Sequence, residues 1–472
     1  MPIGDVAPEI AVILTAVIVL LAAAFTPQRL HWLGAPIALA GLGIAAVLCA
    51  GQLAGPPRIS FSGVWAVDGA GVWARLLIVA ATALVVVLTP GWFMTDRRHG
   101  EYYAMLLLST VGAMFIAGAA DLLQLVMGVL LSSVTGYTLA AYHRDWALSV
   151  EAGMKYFLIG ALANALLVLA VTLLFGLYGA TGYGEIAAAI GSAPAPAPQG
   201  IALAGLALAV VGIGFKLAAV PAHTWMADVA EGAPAPSAAF LTVVPKIGAA
   251  IALARLLTLF PPEVIAWRPL IATLSVATMT LGNLAALWQS DLRRLLGWSS
   301  VSQSGYALMA IAVVGLTEQA LPALVFFLAG YAAANVAAFA AVTHLRGRTN
   351  IDDYRGLATV RPGIAAALTL ALLSLVGIPP LAGFVGKLLL FWATIDAGYA
   401  WLAAVAAANT VASLFYYLRV LGPMYFHTET HTVPSLGRWA LGGTIAAGAA
   451  IIGLGVGAQA LLAPLASTSL LP

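Results

Sequence analysis

The chain has 472 residues, of which 62% are hydrophobic and 8% charged, whereas a soluble domain carries roughly a quarter charged residues. Lys and Arg total 20 against 18 Asp and Glu, a net charge of +2, so the basic excess that holds a phosphate backbone is missing and no nucleic-acid partner is expected. The single cysteine, Cys49, lies in an apolar run and supplies neither a disulfide nor a thiolate cluster for an iron–sulfur centre. At about 20 residues per crossing, the length accommodates roughly fifteen spans, and the fold expected is an all-α polytopic membrane protein.

In chain order, apolar runs bounded by Arg, Pro, Gly or acidic residues place helices near 7–25, 33–52, 72–93, 102–118, 121–142, 155–178 and 200–222. A second set lies near 237–259, 267–289, 296–315, 320–344, 364–396, 400–425 and 438–462, which makes fourteen spans. The first run reads as a retained helix, because residues 2–9 hold no cationic stretch and no small-residue cleavage site follows. Residues 346–361 form the longest connection of soluble character, and residues 193–199 are a Pro-Ala linker expected to stay extended. Arginines crowd the odd-numbered loops (Arg29, Arg97, Arg98, Arg144, Arg293, Arg294, Arg346, Arg348, Arg355, Arg361 and Arg438), against Arg58, Arg75 and Arg268 in the even-numbered ones. Cationic loops stay in the cytoplasm, so both termini are expected to face outward.

Sixteen arginines accompany only four lysines: Lys155, Lys216, Lys246 and Lys387. The last three interrupt apolar stretches, GIGFKLAAVP, VVPKIGAAIA and AGFVGKLLLF. A charged side chain near the bilayer centre costs about 2.5 to 3.5 kcal/mol on insertion scales and marks a functional site. Lysine, unlike arginine, loses and regains a proton when buried. Three buried lysines therefore point to a proton path; a single one would as readily snorkel to a headgroup.

Two of the three adjoin helix breakers. Lys216 precedes Pro221 by five residues, and Lys387 follows Pro379, Pro380 and Gly383. Proline frees backbone carbonyls that are tolerated at membrane depth only where protein or water satisfies them, and interrupted helices in corresponding places of two halves point to a transport site. The seventh and twelfth spans are five apart, which suits two five-helix repeats: residues 101–260 and 261–425, after an N-terminal three-helix segment (1–100) and before a C-terminal helix (426–472).

His223 follows Lys216 by seven residues, near the same face if the helix continues past Pro221, and suits a proton relay. Asp228 and Glu231 lie on the acidic segment ADVAEGAPAP at the inner surface, placed to gather protons or, for Asp228 especially, to cap a helix. Glu151 and Lys155 are an i, i+4 pair at the entrance to the sixth span, an arrangement typical of surface ion pairs. Asn164, Asn335, Asn409, Ser299, Ser300, Ser302 and Gln303 extend a hydrated path or simply bond helices together, and His344 reads as an interfacial residue.

The stretches EAGMKYFLIGAL (151–162), FKLAAVPAHTWMADVAEGAPAPSAAFLTVVPKIGA (215–249), DLRRLLGWSSVSQSGY (291–306), GIPPLAGFVGKLLLF (377–391) and NTVASLFYYLRVLGPMY (409–425) resemble the antiporter-like subunits of respiratory complex I, and among them the subunit N type. The resemblance implies fourteen helices with two inverted five-helix repeats, functional lysines on broken helices seven and twelve (Lys216 and Lys387), and a third on helix eight (Lys246). It also implies a bacterial inner-membrane location among other membrane-arm subunits and lipids. NADH, FMN, iron–sulfur clusters and quinone would be held by partner subunits. Two departures stand out: Leu130 occupies the place of a fifth-span glutamate that partners the seventh-span lysine, and Gln303 occupies a place where the family has histidine.

No glycine-rich dinucleotide fingerprint, metal-spaced His/Cys cluster or nucleophile with a base occurs in the sequence. The reading that follows from the resemblance is a proton-translocating subunit of an NADH:quinone oxidoreductase, without redox chemistry or cofactor in this chain. Two alternatives are a sodium/proton antiporter subunit and a subunit kept for structure after loss of the fifth-span glutamate.

Overall fold

A computed structural model describes residues 2–192, 199–427 and 436–471, and nearly all of them are helical. Part of the Pro-Ala linker, residues 193–198, lies outside the described residues. Helix is the expected answer, since a chain this apolar must satisfy its backbone hydrogen bonds within each segment. The N-terminal part contains α1 (Ala7–Phe25), α2 (Gly34–Gln52), a hairpin of β1 (Arg58–Ser60) and β2 (Trp65–Val67), and α3 (Gly69–Phe93). Next come α4 (His99–Gly118), α5 (Leu122–Ala140), α6 (Ala147–Tyr178), α7 (Tyr183–Ser192), α8 (Gln199–Leu217), α9 (Trp225–Gly232) and α10 (Ala235–Thr258). The remainder is α11 (Trp267–Leu287), α12 (Leu292–Ala312), α13 (Ala320–His344), α14 (Leu357–Val360), α15 (Pro362–Val376), α16 (Ala382–Asp396), α17 (Ala400–Phe426), α18 (Gly437–Val456) and α19 (Ala458–Leu465).

Short acidic side chains start several helices. Asp121 accepts from the N–H groups of Leu123 and Gln124 at 2.7 and 2.9 Å, and Asp291 accepts from that of Arg294 at 2.9 Å. Each satisfies donors that the first turn leaves open. Twelve helices among the described residues are long and apolar enough to cross a membrane. The polar α12 and the interrupted pair α15–α16 are further candidate crossings, and together these match the expected fourteen.

The structure breaks the chain where the prolines stand. The seventh crossing ends at Leu217 and resumes only at Trp225, and the twelfth ends at Val376 and resumes at Ala382. The runs 200–222 and 364–396 are thus not unbroken helices, in keeping with the broken seventh and twelfth helices that the resemblance implies. Gly377 leaves α15 with φ near 100°, and a Cβ on Gly383 would lie 1.7 Å from the Ser374 carbonyl oxygen. Only glycine lets the second half-helix approach the end of the first so closely. The sixth crossing is also longer than expected: α6 begins at Ala147, so Glu151 and Lys155 lie within its first turns.

Helices α10 and α13 form the centre, their most apolar windows wholly buried, while α1, α6 and α18 are only one-third buried. A helix that is apolar all round belongs inside. Gly248 makes the fit of α10 against α4 possible, since a Cβ there would come within 2.4 Å of the Ala113 carbonyl oxygen.

Candidate functional site

The central helix α10 delivers Lys246, 2% exposed, to α12. Its ammonium donates to the Ser300 carbonyl at 2.5 Å and to Ser304 Oγ at 2.8 Å, with the Tyr331 ring centroid 5.6 Å away. Ser304 Oγ in turn donates to the carbonyl of Leu217, the last residue of α8 and the neighbour of Lys216. Around Lys246 a small polar cluster closes. Ser300 Oγ and Tyr331 OH lie 2.7 Å apart, Tyr331 donates to the Thr242 carbonyl at 2.7 Å, and Asn335 Nδ2 donates to Thr242 Oγ1 at 2.7 Å.

Lys216 is fully buried at the end of α8. Its Nζ lies 3.4 Å from Tyr156 OH and within cation–π range of Tyr156 and Phe215, with centroids 5.6 and 5.2 Å away. The Tyr156 ring is fixed by Trp225, stacked at 4.2 Å, and Trp225 Nε1 donates to the Phe215 carbonyl at 3.2 Å. Thus the first residue of α9 satisfies a carbonyl freed at the end of α8. On α5 the residue in the expected place of a carboxylate partner is Leu130. It is 36% exposed and shares an outward stripe of α5 with Leu123, Met127 and Val134, while Ser132 and Ser133 point inward.

Lys387 repeats the pattern at the other break. Its Nζ donates to the carbonyl of Val376, the terminal residue of α15, at 2.9 Å and stands over the Tyr306 ring, 4.3 Å from the centroid. Gln303 Nε2 donates to the adjacent carbonyl, Leu375, at 3.1 Å. One helix, α12, thus carries Ser300 and Ser304 to Lys246 and Gln303 to the half-helix end that holds Lys387. The arrangement is a buried polar axis running from the end of α8 through Lys246 to the end of α15.

His223 lies in the first break, its ring 5.7 Å from that of Trp298 and its Nδ1 without a hydrogen-bond partner. The seven-residue spacing to Lys216 does not place the two on one helical face, because the helix stops at Leu217. Asp228 does not cap α9 either. It accepts from Arg294 Nη1 at 2.7 Å and from Lys155 at 3.3 Å, while Glu231 accepts from the same Nη1 at 2.6 Å. Glu151 pairs with Lys155 at 2.7 Å. These five side chains join α6, α9 and α12 around a cavity of about 200 Å³. Beside it Arg293 is 5% exposed and donates to the carbonyls of Ala230 and Ala233.

Sequence reasoning did not single out Tyr156, Tyr306, Tyr331, Ser304 and Arg294. The run SSVSQSGY, polar within an otherwise apolar span, was the available signal for Ser304 and Tyr306. Tyrosines partnering lysines across other helices leave no local pattern.

The family model described as NADH:quinone oxidoreductase/Mrp antiporter, TM, matches residues 119–413, a stretch that contains all three buried lysines and both breaks. The chain belongs to this family. A protein of Mycobacterium sp. (strain JLS) named NADH-quinone oxidoreductase subunit N is 48% identical over 398 residues, 84% of this chain and 83% of that protein. One from Streptomyces griseus named NADH-quinone oxidoreductase subunit N 1 is 44% identical over 96% of both chains. Among solved structures, a chain of respiratory complex I from Thermus thermophilus is similar with a TM-score of 0.83 and 30% identity, covering 98% of this chain and 100% of that one. The subunit N resemblance and the all-α membrane fold are thereby borne out.

Proposed function

We propose that this chain is a proton-translocating membrane-arm subunit of a bacterial NADH:quinone oxidoreductase, set among other membrane subunits, with electrons passing through partner chains. The observation that carries the reading is the buried axis. Lys246 bonds Ser300 and Ser304 of α12, which in turn bonds the carbonyl of Leu217 beside Lys216 through Ser304 and the carbonyl of Leu375 through Gln303, while Lys387 bonds the adjacent carbonyl of Val376 directly. Carbonyls at a helix C-terminus carry partial negative charge and favour a nearby ammonium, while burial favours the neutral amine. Such a group exchanges a proton as its surroundings change. Protons would enter at the inner ion network of Glu151, Lys155, Asp228, Glu231 and Arg294, with His223 between this surface and Lys216. The fold would divide into α4–α10 and α11–α17, and both termini would face outward.

A second reading, a subunit retained for assembly with its own path closed, is favoured by one observation. Among the described residues no carboxylate is paired with Lys216, whose polar contact is Tyr156 OH at 3.4 Å. The experiment that separates the two is Lys216→Ala in the assembled complex, with NADH oxidation and proton uptake followed in inside-out vesicles. Translocation through this chain predicts fewer protons per NADH in an intact complex, and an unchanged ratio supports retention for assembly. Proton uptake that requires sodium would favour an antiporter subunit instead.

A further inference from the structure

The last described residues cross back over the molecule and bond to a fully buried ion pair. Arg255, 0% exposed near the outer end of α10, meets Asp68, the residue that caps α3, with Nη1 2.8 Å from Oδ2 and Nη2 3.2 Å from Oδ1. Asp68 Oδ1 also accepts from the Gly71 N–H at 2.8 Å, and Arg255 Nη2 donates to the Ala117 carbonyl of α4 at 3.3 Å. Both members of the pair are then bonded by one residue of the tail. The Leu471 N–H donates to Asp68 Oδ2 at 2.8 Å, and its carbonyl accepts from Arg255 Nη1 at 3.2 Å. Two residues earlier, Ser469 accepts through its carbonyl from the Ala70 N–H at 2.9 Å and through Oγ from the Gly69 N–H at 3.3 Å. The tail therefore supplies acceptors for two donors in the first turn of α3 and closes the charge pair from outside.

A second buried pair continues the same network inward. Arg75 Nη1 lies 3.3 Å from Glu9 Oε1, and Arg75 Nε donates to the Gly71 carbonyl at 3.3 Å. Through Gly71 the outer ends of α1, α3, α4 and α10 and the tail are tied at one point.

We infer that the segment Ser467–Leu471 is a strap that positions Lys246, by holding Arg255 and so fixing where α10 sits against α4. Arg255 and Lys246 share α10. Between them Gly248 packs on the Ala113 carbonyl of α4, one helical turn before the Ala117 carbonyl that Arg255 bonds. Lys246 reaches Ser300 and Ser304 at 2.5 and 2.8 Å, and a small shift of α10 along or about its axis breaks those bonds, since hydrogen bonds weaken steeply with distance and angle. Arg255, Asp68 and Leu471 are thus positioning residues that act through Lys246, which rests on the reading that Lys246 lies on the proton path.

The test uses the whole complex in inside-out vesicles and records protons moved per NADH oxidised across a pH series. Leu471→Pro removes the N–H that Asp68 accepts, Leu471→Ala keeps it, and a chain ending at Ala466 removes the strap. The strap predicts that the Pro and truncated forms assemble, lose at least about twofold in protons per NADH, and move the pH profile as Ser304→Ala does, while Leu471→Ala matches the unaltered chain. Assembled Pro and truncated forms with the unaltered ratio and profile overturn it. So does equality of the Pro and Ala variants, or failure of both Pro and truncated forms to assemble, which would make the tail a folding element. Lys246→Ala, run alongside, keeps the two ideas apart: unchanged pumping in that variant overturns the proton-path reading itself.

Discussion

The ammonium of Lys387 lies 2.9 Å from the carbonyl oxygen of Val376, across the break between α15 and α16. The break therefore does more than interrupt a span, because it presents the negative end of one half-helix to a lysine carried by the other. Arginine at this position would keep the charge and the carbonyl contact but would not release the proton. Lys387→Arg should accordingly impair pumping nearly as much as Lys387→Met, measured as NADH-driven acidification of inside-out vesicles. An Arg variant with full pumping would remove proton release from the role of this residue.

Leu130 supplies a second expectation. The resemblance to subunit N implies a glutamate at its place, yet its side chain belongs to the outward stripe of Leu123, Met127 and Val134 on α5. Leu130→Glu should leave the pH dependence of pumping unchanged. A charge on this face also costs about 2.5 to 3.5 kcal/mol at the membrane centre, so the yield of assembled complex should fall. A shifted pH profile would show that the carboxylate reaches Lys216.

These two positions show where the sequence was legible. Three lysines in apolar runs pointed to the axis, because an ionisable residue at membrane depth is costly, and Pro221 and the Pro379, Pro380 pair pointed to both breaks, whereas Pro245, directly before Lys246, leaves α10 unbroken. The direction in which Leu130 points was not legible. The few polar residues of α5, Gln124, Ser132, Ser133, Thr135 and Thr138, mark no single face that reveals its rotation, and neighbouring helices set it. The seven-residue spacing of Lys216 and His223 misled for a related reason: a period of 3.6 holds only while the helix continues, and α8 stops at Leu217. Asp228 matched the composition of a helix start, yet Arg294, 66 residues away, holds it instead.

The ion network of Glu151, Lys155, Asp228, Glu231 and Arg294 should tolerate loss of one member and not another. Glu151 is 55% exposed and pairs with Lys155 on its own helix, whereas Arg294 holds both Asp228 and Glu231. Exposed i, i+4 pairs contribute roughly 0.3–0.5 kcal/mol. Glu151→Gln should therefore leave proton pumping close to normal, while Arg294→Gln should lower it several-fold, about the effect of 1 kcal/mol or more. The reverse order would move the entrance away from the α9–α12 contact.

A pH effect is expected at the loop between α5 and α6. Trp92 Nε1 donates to His143 Nε2 at 2.9 Å, so that nitrogen is unprotonated. Burial depresses the His143 pKa from 6.5 to about 4, opposed by Asp96, whose Oδ2 lies 3.6 Å from Nδ1, and reinforced by Arg346, Arg98 and Arg293. A group depressed in the folded state binds its proton more readily when unfolded. Its contribution is therefore complete above pH 6.5 and is lost as the pH falls from there toward about 4, by on the order of 3 kcal/mol. Thermal denaturation of the purified complex should weaken across that window, and less steeply in His143→Gln. Parallel curves for the two would show that His143 is not a source of acid sensitivity.

The most direct test of the account is the proton-to-NADH ratio of the assembled complex carrying Lys246→Ala, since Lys246 joins the end of α8 to α12 through Ser304 and Ser300. A shared path through the three lysines predicts a complex that assembles and moves distinctly fewer protons for each NADH oxidised. An assembled complex with the unaltered ratio would contradict it.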